Sequence, residues 1–342
     1  MLNLEEKKNE TYSNNPIFDI PWVEKYRPNN LSEVVGNSQI IDSLKNISEN
    51  GNLPNLILSG PPGTGKTTSI MALAHELLGE NFKKATIELN ASDDRGISVV
   101  RDKIKSFAIQ KIPLPPGRHK IIILDEADNM TSAAQGSMRV IISDYSSTTR
   151  FVLACNDSSK IIEPIQSRCS LLRFSKLKNE EIKSRLIKII EIEKIEYDEE
   201  GLDALIDTCN GDMRYALNNL QSTFVGYKKI TKENVYKIVD IPKPEIIKNC
   251  IDFCSQGQFE NALQIIDDLL NDGYNFLEIL QVINKQIQEK NLNDKIKFDI
   301  LKNISVFKMR CLDGINGKIQ VYSFMSKLFQ YLEEDNNNII MK

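Results

Sequence analysis

Eight consecutive residues, Gly60-Pro61-Pro62-Gly63-Thr64-Gly65-Lys66-Thr67, spell the phosphate-binding pattern G-x-x-x-x-G-K-[ST]. A loop can wrap phosphate oxygens with its backbone N–H groups only where side chains do not intervene, and Gly60, Gly63 and Gly65 leave that space. Lys66 brings a point charge suited to the β- and γ-phosphates, and the Thr67 hydroxyl suits the Mg²⁺ that accompanies the nucleotide. Thr68 follows directly and completes the contact set. The expected ligands are a nucleoside triphosphate and Mg²⁺.

Four further groups can act on that triphosphate. In Ile121-Ile122-Ile123-Leu124-Asp125-Glu126-Ala127-Asp128, four apolar residues run into two adjacent acids. The functional end of a strand in an open parallel sheet is its carboxyl end, so both acids arrive beside the phosphate loop. Asp125 is expected to hold the Mg²⁺ shell, and Glu126 to orient or deprotonate the attacking water. Without the loop, the same residues would read as an apolar strand ending in a solvated acidic turn. Phe151-Val152-Leu153-Ala154-Cys155-Asn156 is another apolar strand, ending in an amide. If it lies between the strands carrying the loop and the acids, Asn156 can hold the attacking water together with Glu126; a plain turn is the other use of asparagine there.

Arg168, in Glu163-Pro164-Ile165-Gln166-Ser167-Arg168-Cys169, has little reason to face its own nucleotide, because Lys66 already covers that side. Charge building on a γ-phosphate is often met by an arginine from a neighbouring molecule. A surface ion pair is the alternative. Gly211-Asp212-Met213-Arg214 opens a helix that can fold back over the nucleotide with Arg214 on the phosphates, making closure sensitive to the third phosphate. An exposed first-turn arginine is the alternative there.

These residues need a scaffold that gathers strand ends. Strand-like runs alternate with helical ones from about Leu53 to Phe174, namely NLILS, ATIELN, KIIILD, TRFVLACN and SLLRF, and Thr67 to Leu78 has helical apolar spacing. That alternation predicts an α/β fold, a parallel sheet covered on both faces. After Leu177 the pattern predicts helices only. Pro242 and Pro244 mark a linker, amphipathic helix follows from Glu245 to about Leu332, and the polar end from Glu333 to Lys342 is expected to fray. The expected domains are a tail at 1–20, a nucleotide-binding α/β domain at 21–177, a helical lid at 178–240 and an all-α domain at 241–342.

The length of 342 residues suits two or three domains, and 41% hydrophobic with 26% charged residues is a globular composition. No apolar run approaches a membrane span, and the amino terminus has no apolar signal core, so an intracellular protein is expected. Six scattered cysteines with no C-x-x-C pair, and only two histidines, argue against a disulfide framework or zinc site; Cys250 and Cys254 read as core. The net charge is −4, yet nine Lys/Arg against four acids give the segment from Lys83 to Lys120 a charge of +5, which suits an anionic partner on one face.

Taken in order, the phosphate loop, Asp125 and Glu126, Asn156, Arg168 and Arg214 resemble the AAA+ ATPases: Walker A, Walker B, sensor 1, a trans-acting arginine finger and sensor 2. Pro21-Trp22-Val23-Glu24-Lys25-Tyr26-Arg27-Pro28, Glu88-Leu89-Asn90-Ala91-Ser92, Asp94-Arg95-Gly96-Ile97, Ser167-Arg168-Cys169 and Gly211-Asp212-Met213-Arg214 narrow the resemblance to the small subunits of replication factor C, the eukaryotic clamp loader. Pro116-Gly117-Arg118-His119-Lys120 and the run from Ala216 to Phe224 are similar to one small-subunit type within it. The resemblance is specific from about Pro21 to Val239; beyond, only helical character and length match the family's collar domain.

It implies an ATPase in a nuclear heteropentamer that opens the sliding clamp PCNA and loads it on primer-template DNA. It also implies that Val23, Tyr26, Arg27, Val35 and Gly36 lie near adenine and ribose, and that Arg95, Arg101 and Lys105 track DNA phosphates. Those three are compatible with one helix and its preceding turn, as is a merely solvated basic face. Another AAA+ DNA-remodelling motor, or a structural subunit that binds ATP without hydrolysing it, are the competing readings. Two places in the chain depart from the family. Its helix after Walker B usually reads L-R-R-T-M-E, whereas this chain has Met138-Arg139-Val140-Ile141-Ile142-Ser143, and Asp93 stands where asparagine is usual.

Overall fold

The computed structural model describes residues 20–91 and 97–340. The chain divides into two compact units, one ending at Val235 and the other beginning at Tyr236.

The first unit is built on five parallel strands: β1 (Leu56–Ser59), β2 (Thr86–Asn90), β3 (Lys120–Asp125), β4 (Thr149–Cys155) and β5 (Ser170–Arg173). Their order is β2-β3-β4-β1-β5. Because successive strand side chains point to opposite faces, β1 and β3 divide their apolar runs between two cores. Leu56, Leu58, Ile121 and Ile123 join Ile70, Leu73 and Leu77 on one face. Ile57, Ile122 and Leu124 join Ile104, Met138 and Ile142 on the other. Both faces are covered, which is why these strands read as continuous apolar runs and not as alternations.

The helices of this part are α1 (Trp22–Lys25), α2 (Ser38–Asn50), α3 (Lys66–Leu78), α4 (Phe82–Ala85), α5 (Ile97–Ile109), α6 (Ser132–Asp144) and α7 (Glu163–Gln166). One device locks α5 to the sheet. Lys120, only 4% exposed at the start of β3, donates from Nζ to Phe107 O at 3.0 Å, to Gln110 O at 2.7 Å and to Ala108 O. The ammonium thus satisfies carbonyls that the helix end leaves without intrahelical partners.

Helices α8 (Asn179–Glu193), α9 (Glu199–Cys209) and α10 (Met213–Tyr227) follow and pack on one another, then α11 (Lys232–Val239). The expectation of helices alone is corrected here: β6 (Glu196–Tyr197) and β7 (Lys229–Ile230) pair in parallel. Two residues are too few for a strand to announce itself by alternation.

In the second unit, α12 (Pro244–Ser255), α13 (Phe259–Asn271), α14 (Phe276–Glu289), α15 (Asp294–Leu312) and α16 (Lys318–Ile340) enclose one core. Pro244 occupies the first turn of α12, where a missing N–H is tolerated. The i, i+3, i+4, i+7 series Ile247, Cys250, Ile251, Cys254 is the buried face of that helix. All six cysteines are free, and burial raises the thiol of Cys169 to about 11 and that of Cys209 to about 12. The end of the chain differs from expectation: α16 remains helical through Ile340. Asp335, 4% exposed, accepts from Asn293 N at 3.3 Å, so this polar stretch has a partner inside its own unit. No described helix is long and apolar enough to cross a membrane, and the described residues contain no group of three or more His, Cys, Asp or Glu side chains placed to hold a metal ion among themselves.

Candidate nucleotide site

The strand order sets the site. With β4 between β3 and β1, the carboxyl ends of the three central strands bring the phosphate loop, the acids and Asn156 to one edge of the sheet. The loop after β1 turns into α3 through Gly65 in the left-handed region (φ 90°), and the ammonium of Lys66 folds back along it. Nζ donates to Gly60 O at 2.7 Å, to Pro61 O at 2.9 Å and to Asn156 Oδ1 at 3.2 Å. Lys66 is 8% exposed, and this burial lowers its pKa, with the negative charge of Asp125 acting in the opposite direction.

Two loop glycines have a reason to lack a side chain that their spacing does not reveal. A Cβ on Gly60 would lie 2.3 Å from Phe174 O, and one on Gly63 would lie 1.7 Å from Asp212 Oδ1. Asp212 caps α10 by accepting from Tyr215 N at 3.0 Å, and Met213 N donates to Gly63 O at 3.1 Å. The loop and the start of α10 are therefore joined by a backbone hydrogen bond, with the Asp212 carboxylate packed against Gly63.

At the end of β3, Thr67 Oγ1 donates to Asp125 Oδ2 at 3.0 Å, while Asp125 Oδ1 accepts from Glu126 N at 2.9 Å. A hydroxyl and a carboxylate oxygen side by side form a hard, oxygen-only donor set, which fits Mg²⁺. Glu126 itself sits at φ 51°, ψ 38°, a region uncommon for residues other than glycine and frequently used at functional sites. Its Oε2 accepts from Asn129 Nδ2 at 3.2 Å. Asp128, the third acid of the run, has a buried Oδ1 with no hydrogen-bond partner among the described residues, and its charge, like that of Asp125, favours protonated Lys66.

One cavity is lined by Val23, Tyr26, Arg27, Val35, Pro62, Gly63, Thr64, Gly65, Lys66, Thr67, Thr68, Asp125, Glu126, Asn156 and Arg214. Gly36, Gly60 and Pro61 are not in its lining; a Cβ on Gly36 would meet Leu177 and, on α8, Glu181. Met213, Leu217, Leu177, Cys155 and Arg185 also line it, and sequence reasoning missed them. For Met213 and Leu217 a signal existed, since they lie four residues apart beside Arg214 on one helix. Arg185 stands in the middle of α8, outside any motif.

Arg168 is not among the lining residues. It is exposed, donating from Nη1 to Pro164 O at 2.6 Å and from Nε to Ser143 Oγ at 3.2 Å. Ser143 belongs to the altered segment of α6, where Met138, Ile141 and Ile142 are buried and Arg139, Val140 and Ser143 are exposed. Lys105 is exposed on α5, one turn after Arg101, whose side chain lies outside the description. Arg95 and Asp93 lie outside the described residues.

Sheet order, loop and acidic strand end together define a P-loop ATPase of the AAA class, and the family "ATPase family associated with various cellular activities (AAA)" matches residues 56–177. "Replication factor C C-terminal domain" matches residues 242–327. Replication factor C subunit 4 of Oryza sativa subsp. japonica is 51% identical over 310 residues, 91% of this chain and 92% of that protein. Replication factor C subunit 2 of Arabidopsis thaliana is 50% identical over 91% of this chain and 93% of its own length; for replication factor C subunit 4 of Saccharomyces cerevisiae the values are 47%, 91% and 96%. The chain belongs to the replication factor C small subunits, the clamp-loader ATPases, and to the type numbered 2 or 4. Among solved structures, the Thermotoga maritima RuvB Holliday junction branch migration motor superposes with a TM-score of 0.52 over 67% of this chain and 80% of its own, at 19% identity, a likeness of fold alone.

Proposed function

We propose that this chain binds ATP with Mg²⁺ in the cavity above the sheet, and that it hydrolyses the nucleotide as one subunit of a pentamer. That assembly opens the ring-shaped clamp PCNA and loads it onto primer-template DNA in the nucleus. The division of labour follows the expected domains: residues 21–177 hold the nucleotide, 178–240 form the lid, and 241–342 form the collar through which subunits assemble.

Within the cavity, Lys66 leaves the carbonyls of its own loop for the β- and γ-phosphate oxygens, a stronger, charge-assisted partner. Thr67 and Asp125 hold Mg²⁺, which when bound neutralises charge on the phosphates. Glu126 and Asn156 fix the attacking water, and Glu126 accepts its proton. Arg214 meets the phosphates from α10. Arg168 acts on the nucleotide of the adjoining subunit, and Arg95, Arg101 and Lys105 track the DNA backbone. The observation that carries this reading is the placement of Arg168: every other assigned cation near the nucleotide lines this chain's cavity, whereas Arg168 is exposed and outside it.

The test is Arg168→Ala in the reconstituted five-subunit assembly. ATP affinity of the variant chain should stay unchanged while turnover at the neighbouring site falls by about 10³-fold, the lower range for such an arginine. Undiminished turnover refutes the trans role. The competing reading as another remodelling motor is disfavoured by the contrast between roughly half identity to clamp-loader subunits and 19% to the branch migration motor.

A further inference from the structure

Two arginines from the helices after Leu177 line the nucleotide cavity, and they neighbour different segments of its wall. Arg214 follows Met213, whose N–H bonds to the phosphate loop at Gly63 O. Arg185 instead donates from Nη2 to Tyr26 O at 2.7 Å. Tyr26 belongs to Trp22–Arg27, a strap of which Val23, Glu24, Tyr26 and Arg27 line the cavity; Val23, Tyr26 and Arg27 are the residues assigned to the base and ribose.

The strap is fastened to the same helices elsewhere. Lys25 Nζ donates to Glu193 Oε1 at 2.6 Å, and the Tyr26 hydroxyl donates to that oxygen too. Trp22 N donates to Gln221 Oε1 at 3.0 Å, and the Trp22 ring packs on Phe224 with centroids 5.7 Å apart. Glu193, Gln221 and Phe224 are not among the cavity's lining residues. Arg185 alone among these partners also lines the cavity, and the carbonyl it holds lies between Tyr26 and Arg27, two lining residues. A planar guanidinium fixes such a carbonyl in direction as well as distance.

We propose that Arg185 is a positioning residue for the nucleoside half of the substrate: by holding the Tyr26 carbonyl it sets the strap over base and ribose. The proposal rests on the reading of this cavity as the nucleotide site. It has a distinctive consequence, because the strap meets the part that ATP and ADP share. Loss of Arg185 therefore weakens both nucleotides by the same factor and leaves a ligand without a nucleoside untouched.

The experiment is calorimetric titration of the full chain with Mg²⁺ and ATP, ADP or inorganic tripolyphosphate. Arg185→Ala is expected to weaken ATP and ADP alike, by about tenfold for one hydrogen bond to a charged group, with tripolyphosphate unchanged. Arg185→Lys, which keeps a donor, should recover part of the loss; it also serves as the test variant should Arg185→Ala fail to fold, with the same equal loss for ATP and ADP expected. A loss confined to ATP, an equal loss for tripolyphosphate, or no loss overturns the proposal. Lys66→Ala separates the two readings: it should abolish all three ligands, and if ATP still binds, the assignment of the site itself fails whatever Arg185 does.

Discussion

Gly63→Ala probes the joint between phosphate loop and helical part, and its size follows from two terms. Gly63 has φ 65°, where an alanine costs about 1–2 kcal/mol. The new Cβ would also lie 1.7 Å from Asp212 Oδ1 and 2.1 Å from its Cγ, so that carboxylate has to move. Moving it breaks the bond to Tyr215 N that caps α10, worth about 1 kcal/mol. The total is about 2–3 kcal/mol, or ~30- to 150-fold if all of it appears in nucleotide affinity. Urea unfolding and ATP titration on the same protein measure how the loss divides between stability and binding. A second variant isolates the steric term: Asp212→Ala removes the atoms that obstruct the new Cβ, at the cost of the cap. In that background Gly63→Ala should cost only the backbone term, about 1–2 kcal/mol. An equal cost in both backgrounds would refute the argument that Asp212 is what keeps residue 63 a glycine, and no cost in either would refute the loop conformation.

Two further tests address the frame. Lys120→Met keeps the buried stem but abandons three carbonyls at the end of α5, so stability should fall by about 2–4 kcal/mol; a urea midpoint unchanged by the substitution would show that water replaces the ammonium without loss. His119 is lowered from 6.5 by burial, then by the adjacent Arg150. Its unfolded form binds a proton first as pH drops, so its contribution to stability is present above about 6.5 and is lost as pH falls through the lowered folded value. His119→Gln should flatten the dependence of Tm on pH between about 7 and 5, and an unaltered slope would exclude this group as its source.

What could be read from the sequence and what could not divides by distance along the chain. The phosphate loop, the acids after β3 and Asn156 are local patterns at strand ends, and the apolar runs that place them are long enough to be recognised. Their convergence was conditional on β4 lying between β1 and β3, a tertiary fact that no single run contains; the sheet order supplies it. Gly63 reads as a phosphate-loop glycine, but the atom that would meet its Cβ belongs to Asp212, far along the chain. Likewise the strap from Trp22 is held by Arg185, Glu193 and Gln221, and nothing within either segment names the other. The polar stretch after Leu332 reads as a frayed tail because its composition conceals the burial of Asp335 against Asn293 N.

The departure at Ser143 bears on the proposed trans arginine. Arg168 is held on its exposed surface by Pro164 O and by the Ser143 hydroxyl, contacts made by Nη1 and Nε. The fork at Nη2 is used by neither. Arg168 and residue 143 are both exposed, so a neutral hydroxyl holds the guanidinium only weakly, and a carboxylate at the same place, as the family's usual glutamate would provide, would hold it by about 0–1 kcal/mol. A guanidinium released from serine therefore reaches an adjoining γ-phosphate at lower cost than one released from an acid. On this reasoning the altered helix does not weaken the finger. On the proposed trans role, the Ser143 hydroxyl gives that arginine a shallower resting position than an acid would.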